Sequence, residues 1–238
     1  MGFDVKITTK CGILDLLCPH TCMGCGQLGA IYCECCKKNI LKNRQNICPI
    51  CKQKLAKKWK CDECENILNG MFVAGMREGD LAKMVSNYKY YAVRAIGEVL
   101  TEVIDEAIPE DFDKSLSGLE GDKSEVVIVP LPTIGKHVRQ RGIDHTWRLG
   151  KKLAKRRGWR CERVLGRAAD TVQVGTKATD RQAQAARAYE VVGKVVSGKR
   201  YLLLDDVWTT GASMLAATKV MQEAGTKEMF GVVIGVSR

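Results

Sequence analysis

The most chemically pointed stretch of the chain is YLLLDDVWTTGAS, residues 201–213. Its apolar start predicts a buried strand, and Asp205 and Asp206 fall at the C-terminal end of that strand, the edge at which open α/β sheets bind ligands. Val207 and Trp208 lead into Thr209, Thr210, Gly211, Ala212 and Ser213, which open a helix. Backbone N–H groups, three hydroxyls and the helix dipole therefore converge on one anion. Carboxylates for hydroxyls beside a cradle for phosphate suit a ribose 5-phosphate. A merely capped helix needs a Thr or Ser but no acid pair, and buried carboxylates are costly unless paired or ligand-bound.

A second chemistry lies in the cysteines. Eleven of the twelve precede residue 65, and eight fall in four CxxC pairs: Cys22 and Cys25, Cys33 and Cys36, Cys48 and Cys51, Cys61 and Cys64. Two such pairs supply the four thiolates of one tetrahedral site, so the spacing predicts two closed structural Zn²⁺ centres. Sequential pairing, 22/25/33/36 and 48/51/61/64, is expected, with interleaved pairing as the alternative. Cys161 stands alone and reads as structural. The histidines, His20, His137 and His145, are too scattered to predict a His-based dyad.

These residues sit on a chain of 238 residues with a net charge of +11 and 45% hydrophobic content, enough for a real core. No apolar run approaches the ~18 residues of a membrane span. The N-terminus lacks a secretory signal pattern, so a cytoplasmic protein without membrane insertion is expected. Charge is segregated: residues 71–135 carry 6 basic and 12 acidic groups, whereas residues 136–200 carry 18 and 5. The basic stretch fits a phosphate-rich ligand or nucleic acid, against the blander reading of a solvated face.

The elements that must position these groups follow from periodicity. Residues 71–76, 125–132, 201–206 and 229–236 read as strands. Apolar positions from Leu81 to Ile108 recur at helical spacing and predict one helix stopped by Pro109. Further helices are predicted over Thr146–Arg157, Thr179–Ala188 and Ala212–Ala224. Strand–helix alternation after residue 70 means a mostly parallel sheet with helices on its faces. The chain thus divides into a Cys-rich module, 1–66, and an α/β domain, 67–238.

Residues 201–213 resemble the 5-phosphoribosyl 1-pyrophosphate (PRPP) loop of type I phosphoribosyltransferases. That resemblance implies that Asp205, Asp206 and Val207 line the ribose and that Thr209, Thr210, Gly211, Ala212 and Ser213 hold the 5-phosphate. The segment Val129-Pro130-Leu131-Pro132 then ends a strand where these enzymes place their pyrophosphate loop. Lys136, Arg139 and Arg141 follow it, and planar guanidinium forks suit a diphosphate. The whole order of motifs is similar to the ComF-type competence family: a double zinc ribbon, then VPLP and RQRGIDH, then DTVQVGTKATDRQAQAARAYEV, then the PRPP loop. Lys89-Tyr90, Gln173, Arg181 and Tyr189 match that family. Asp144 and His145 stand where members have Asn-Gln, and Gln184 where they have Asn.

The resemblance implies a type I phosphoribosyltransferase fold and Mg²⁺-dependent phosphoribosyl transfer from PRPP to an unknown acceptor, in a protein linked to DNA uptake. Residues 133–145 or 170–188 would form a lid that excludes water. The alternative is a non-catalytic PRPP or nucleotide sensor that binds single-stranded DNA or a competence helicase. Glutamine-dependent amidotransfer is not expected, since residue 2 is Gly and the chain has no length for a glutaminase domain.

Overall fold

The computed structural model describes residues 20–42, 48, 50–51, 53–55, 61, 63–64, 68–91, 94–108, 126–133, 135, 138–139, 142–168 and 188–237. The apolar runs become β1 (Gly70–Met76), β2 (Val126–Pro130), β6 (Arg200–Trp208) and β7 (Glu228–Val236). With the two-residue β3 (Arg160–Cys161) they form one parallel sheet, in the order β1-β7-β6-β2-β3. A separate antiparallel pair joins β4 (Leu165–Arg167) to β5 (Tyr189–Val191). The sequence gave no periodic signal for β3, β4 or β5, each only two or three residues long.

Alternation along the strands sorts side chains into two cores. Phe72, Ile128, Leu202, Leu204, Val232 and Ile234 face one; Val73, Val127, Val129, Leu203 and Val233 face the other. Burial on both faces explains why these strands read as continuous apolar runs. The first core is covered by α1 (Glu34–Lys42), α2 (Gly79–Tyr91), α3 (Arg94–Ala107) and α4 (His145–Arg157). The second is covered by α5 (Ala212–Glu223) and the β4–β5 pair.

One expectation is corrected here. The apolar series from Leu81 to Ile108 belongs to two helices, α2 and α3, on either side of residues 92 and 93. Tyr88 and Gly97 would be about 13 Å apart along one straight helix. Yet a Cβ built on Gly97 would lie 2.8 Å from the Tyr88 ring. Helix α3 therefore folds back against α2, and Gly97 permits the close approach. Both helices bury a stripe on the same core, so the periodicity ran on through the turn. The helix expected over Thr179–Ala188 and the second lid segment lie outside the described residues, except Ala188, which precedes β5.

Helix α4 begins at Asp144, whose Oδ1 accepts the Trp147 N–H at 3.1 Å, and ends at Gly158 with a φ of 72°. Its basic side chains meet the acidic face of α3. Arg156 bonds Asp105 at 2.5 Å, Arg157 also bonds Asp105, and Lys152 bonds Glu98. Part of the positive excess in residues 136–200 is thus neutralised within the fold by the acidic block before it. Among the described residues no helix is long and apolar enough to cross a membrane.

Candidate functional site

Strand β6 delivers Asp205 and Asp206 to its C-terminal end, and the pleat sends them to opposite faces. Asp206 continues the Leu202–Leu204 row towards α2 and α4. It is 7% exposed, and its Oδ2 accepts hydrogen bonds from Lys89 Nζ and His145 Nε2, both at 2.6 Å. Burial opposes its ionisation, but the His145 bond and the Lys89 charge outweigh that and hold the carboxyl down at about 2. Asp205 lies on the other face, with Arg167 and Tyr189 along the same cleft. Its Oδ1 accepts the Asp206 N–H at 2.8 Å. Burial, then the Asp206 charge, push its carboxyl up to about 7. Two neighbours in sequence are thereby made electrostatically unlike.

The two acids share a cleft of about 310 Å³ with Arg77, Lys89, Thr133, His145, Arg167, Tyr189, Thr209 and Ser213. Arg77 follows β1 and Thr133 follows β2, so the cleft lies along the carboxyl ends of the sheet, where such folds bind ligands. Arg167 donates from Nε to the Pro132 carbonyl at 3.1 Å and lies 4.7 Å from the Tyr189 ring centroid. That pair braces the wall opposite Lys89.

After Trp208 the chain turns through exposed Thr209 and Thr210 into α5. Gly211 makes the turn at a φ of 80°, and a Cβ there would sit 2.3 Å from Trp208 Cζ2. Only glycine meets both demands. The first-turn N–H groups of α5 open into a recess lined by Asp205, Val207 and Thr209 to Ser213.

The structure thus gathers Asp205, Asp206, Val207, Thr209, Thr210, Gly211, Ala212 and Ser213 around one continuous hollow. Arg139 is exposed and does not line it; Arg141, Gln173, Arg181 and Gln184 lie outside the described residues. Reading the sequence missed His145 as a partner of Asp206, and it gave Lys89 no role beyond a family match. Histidine scarcity hid the first, since a dyad made with a carboxylate needs only one histidine. Arg77 and Arg167 carried no local signal.

The cysteines form the two groups that sequential pairing predicts: Cys22, Cys25, Cys33 and Cys36, and Cys48, Cys51, Cys61 and Cys64. Sulfur separations are 3.8 Å for Cys22–Cys36, 3.7 Å for Cys25–Cys33 and 3.8 Å for both Cys48–Cys64 and Cys51–Cys61. A tetrahedron with Zn–S bonds of ~2.3 Å has edges of about 3.8 Å. The donor set and its size therefore fit zinc. The Cys33 N–H donates to Cys22 Sγ at 3.4 Å, as CxxC turns do for bound thiolates. Cys161 is kept out of reactive chemistry by burial, which pushes its thiol up to about 12.

The parallel sheet, the acid pair before a glycine turn and the Cys-rich ribbons define a type I phosphoribosyltransferase fold with an N-terminal zinc-ribbon module. The resemblance to ComF-type proteins holds across most of the chain. Competence protein ComFC of Bacillus subtilis (strain 168) is 24% identical over 202 residues, covering 81% of this chain and 78% of its own. Orotate phosphoribosyltransferase of Pyrococcus furiosus is 34% identical over 102 residues, 38% of this chain; the match spans 56% of that relative's length. Among solved structures, that of the allosteric regulatory enzyme of purine biosynthesis aligns with 63% of this chain and 30% of its own, at 16% identity and a TM-score of 0.36. No family model matches the chain.

Proposed function

We propose that the cleft binds PRPP and that the protein transfers its phosphoribosyl group to an acceptor. The observation that carries this reading is the continuity of the acid pair with the glycine-turned recess. A ligand there must offer hydroxyls and a phosphate a few ångströms apart. Asp205 and Asp206 take the ribose hydroxyls, and the N–H and hydroxyl groups of residues 209–213 take the 5-phosphate. Arg167 on the cleft wall, with Arg139 and Arg141 nearer the lid, serves the diphosphate. As the C1–O bond lengthens, positive charge grows on the sugar beside the ionised Asp206, so stabilisation comes from charges already in place. Mg²⁺ neutralises the diphosphate as it leaves, and the carboxylate and hydroxyl oxygens around the pair suit that hard cation.

Residues 1–66 act as a metal-held module on the transferase-like domain of residues 67–238. The similarity to ComFC supports a place in DNA uptake, on the cytoplasmic side of the membrane. Calorimetry with PRPP and Mg²⁺ tests the site: binding by the wild type is lost when Asp205 and Asp206 are both changed to Ala. Undiminished binding by that variant would refute it. Pyrophosphate release with candidate acceptors then separates transfer from sensing.

A further inference from the structure

Asp206 is held more firmly than a sugar-binding carboxylate requires. Lys89 reaches its Oδ2 from α2 and His145 reaches the same atom from the first turn of α4, both at 2.6 Å. Among the described residues none donates to Oδ1, and Asp206 lines the cleft. Two donors on one oxygen leave the lone pairs of the other for a ligand.

The rest of the surroundings fix the donors. Tyr88, the residue before Lys89, is buried and stands edge-on to the His145 ring, 6.5 Å between centroids and at 82°. An ionised Asp206 only accepts, so His145 Nε2 carries the hydrogen. His145 is 4% exposed, and its Nδ1 has no partner among the described residues. A buried ring nitrogen without a partner is a cost to folding. It persists where the ring's other nitrogen has a task.

We propose that Lys89 and His145 are a pair of positioning residues that turn Asp206 towards the sugar, so that its free oxygen accepts one ring hydroxyl of a ribose 5-phosphate. This rests on the function proposed above and adds what aims the acid. It also explains how the chain accommodates His145 where ComF-type sequences carry Gln, since either side chain donates one N–H to the same carboxylate oxygen.

Equilibrium binding of two probes, ribose 5-phosphate and inorganic phosphate, separates aiming from scaffolding. The affinity ratio of the first to the second reports what the sugar adds. A hydrogen bond to a charged group accounts for about tenfold to hundredfold in affinity. The ratio is expected to fall at least about tenfold in His145→Ala and in Lys89→Met, with phosphate affinity unchanged, and to return to within about threefold in His145→Gln. In an Asp206→Asn background, His145→Ala is expected to change the ratio no further. An unchanged ratio in both variants, a parallel loss of phosphate affinity, or no recovery in His145→Gln would overturn the pairing while leaving the proposed ligand standing. No binding of ribose 5-phosphate by the wild type would overturn both.

Discussion

The cysteine clusters and the β6 cleft are each built from a handful of side chains, but they are assembled over opposite spans of chain. Every cluster is complete within 17 consecutive residues or fewer. The cleft gathers Arg77, Lys89, Thr133, His145, Arg167, Tyr189 and the 205–213 segment from across the sheet. A metal site can therefore be read from spacing alone. A ligand cleft shows in sequence only the part that lies on one turn. The clusters also differ from one another: Cys22 and Cys36 pack into the core shared by α2, α3 and α4, whereas Cys48 and Cys61 are buried outside both cores.

The largest expected effect breaks the comparison at the first cluster. Changing Cys36 to Ser removes one zinc and opens a core that supports Lys89, so the melting temperature should fall by about 10 °C or more. Changing Cys64 to Ser also removes one zinc but should leave ribose 5-phosphate affinity within about twofold. Metal quantification alongside calorimetry checks both. Equal loss of ligand affinity in the two variants would mean that the clusters do not differ in this way.

Next comes Gly211→Ala, which forces a Cβ into Trp208 at a positive φ. It should cost about 2–4 kcal/mol and abolish inorganic phosphate binding. Denaturant unfolding and phosphate titration measure the two halves separately.

A smaller effect comes from the split acid pair. Asp205 has a folded value raised to about 7, so its contribution to stability is fully present below ~4 and is lost as pH rises through about 7. Asp206, depressed to about 2, contributes above ~4 and loses that contribution as pH falls through about 2. Asp205→Asn should therefore stabilise the ligand-free protein by about 1–3 kcal/mol at pH 8 and little at pH 4. Asp206→Asn should destabilise it at pH 7. Thermal unfolding across pH 4–8 reads both, and identical profiles for the two variants would contradict the split.

The smallest effect belongs to Asp144→Ala, which removes the α4 cap and costs about 1 kcal/mol. Because that cap lies next to His145, the variant should also weaken ribose 5-phosphate binding slightly, with phosphate binding unaltered.

How much was legible follows the same division of span. The four long strands, α4 and α5 were visible because each is one uninterrupted hydrophobic pattern. The turn between α2 and α3 was not, since both helices bury a stripe on the same core. Asp205, Asp206 and the glycine turn stood out as one contiguous motif. His145 did not, because its meaning depends on a carboxylate 61 residues away that the sheet order brings beside it. Lys89, on a helix before the first long loop, was silent for the same reason.

The most direct measurement is a crystal structure of the protein with PRPP and Mg²⁺. The expected result has the 5-phosphate on the N–H groups of residues 209–213 and the ribose hydroxyls on Asp205 and Asp206, with Lys89 and His145 still holding Asp206. Phosphate bound on the basic face of α4 with the cleft empty would contradict it.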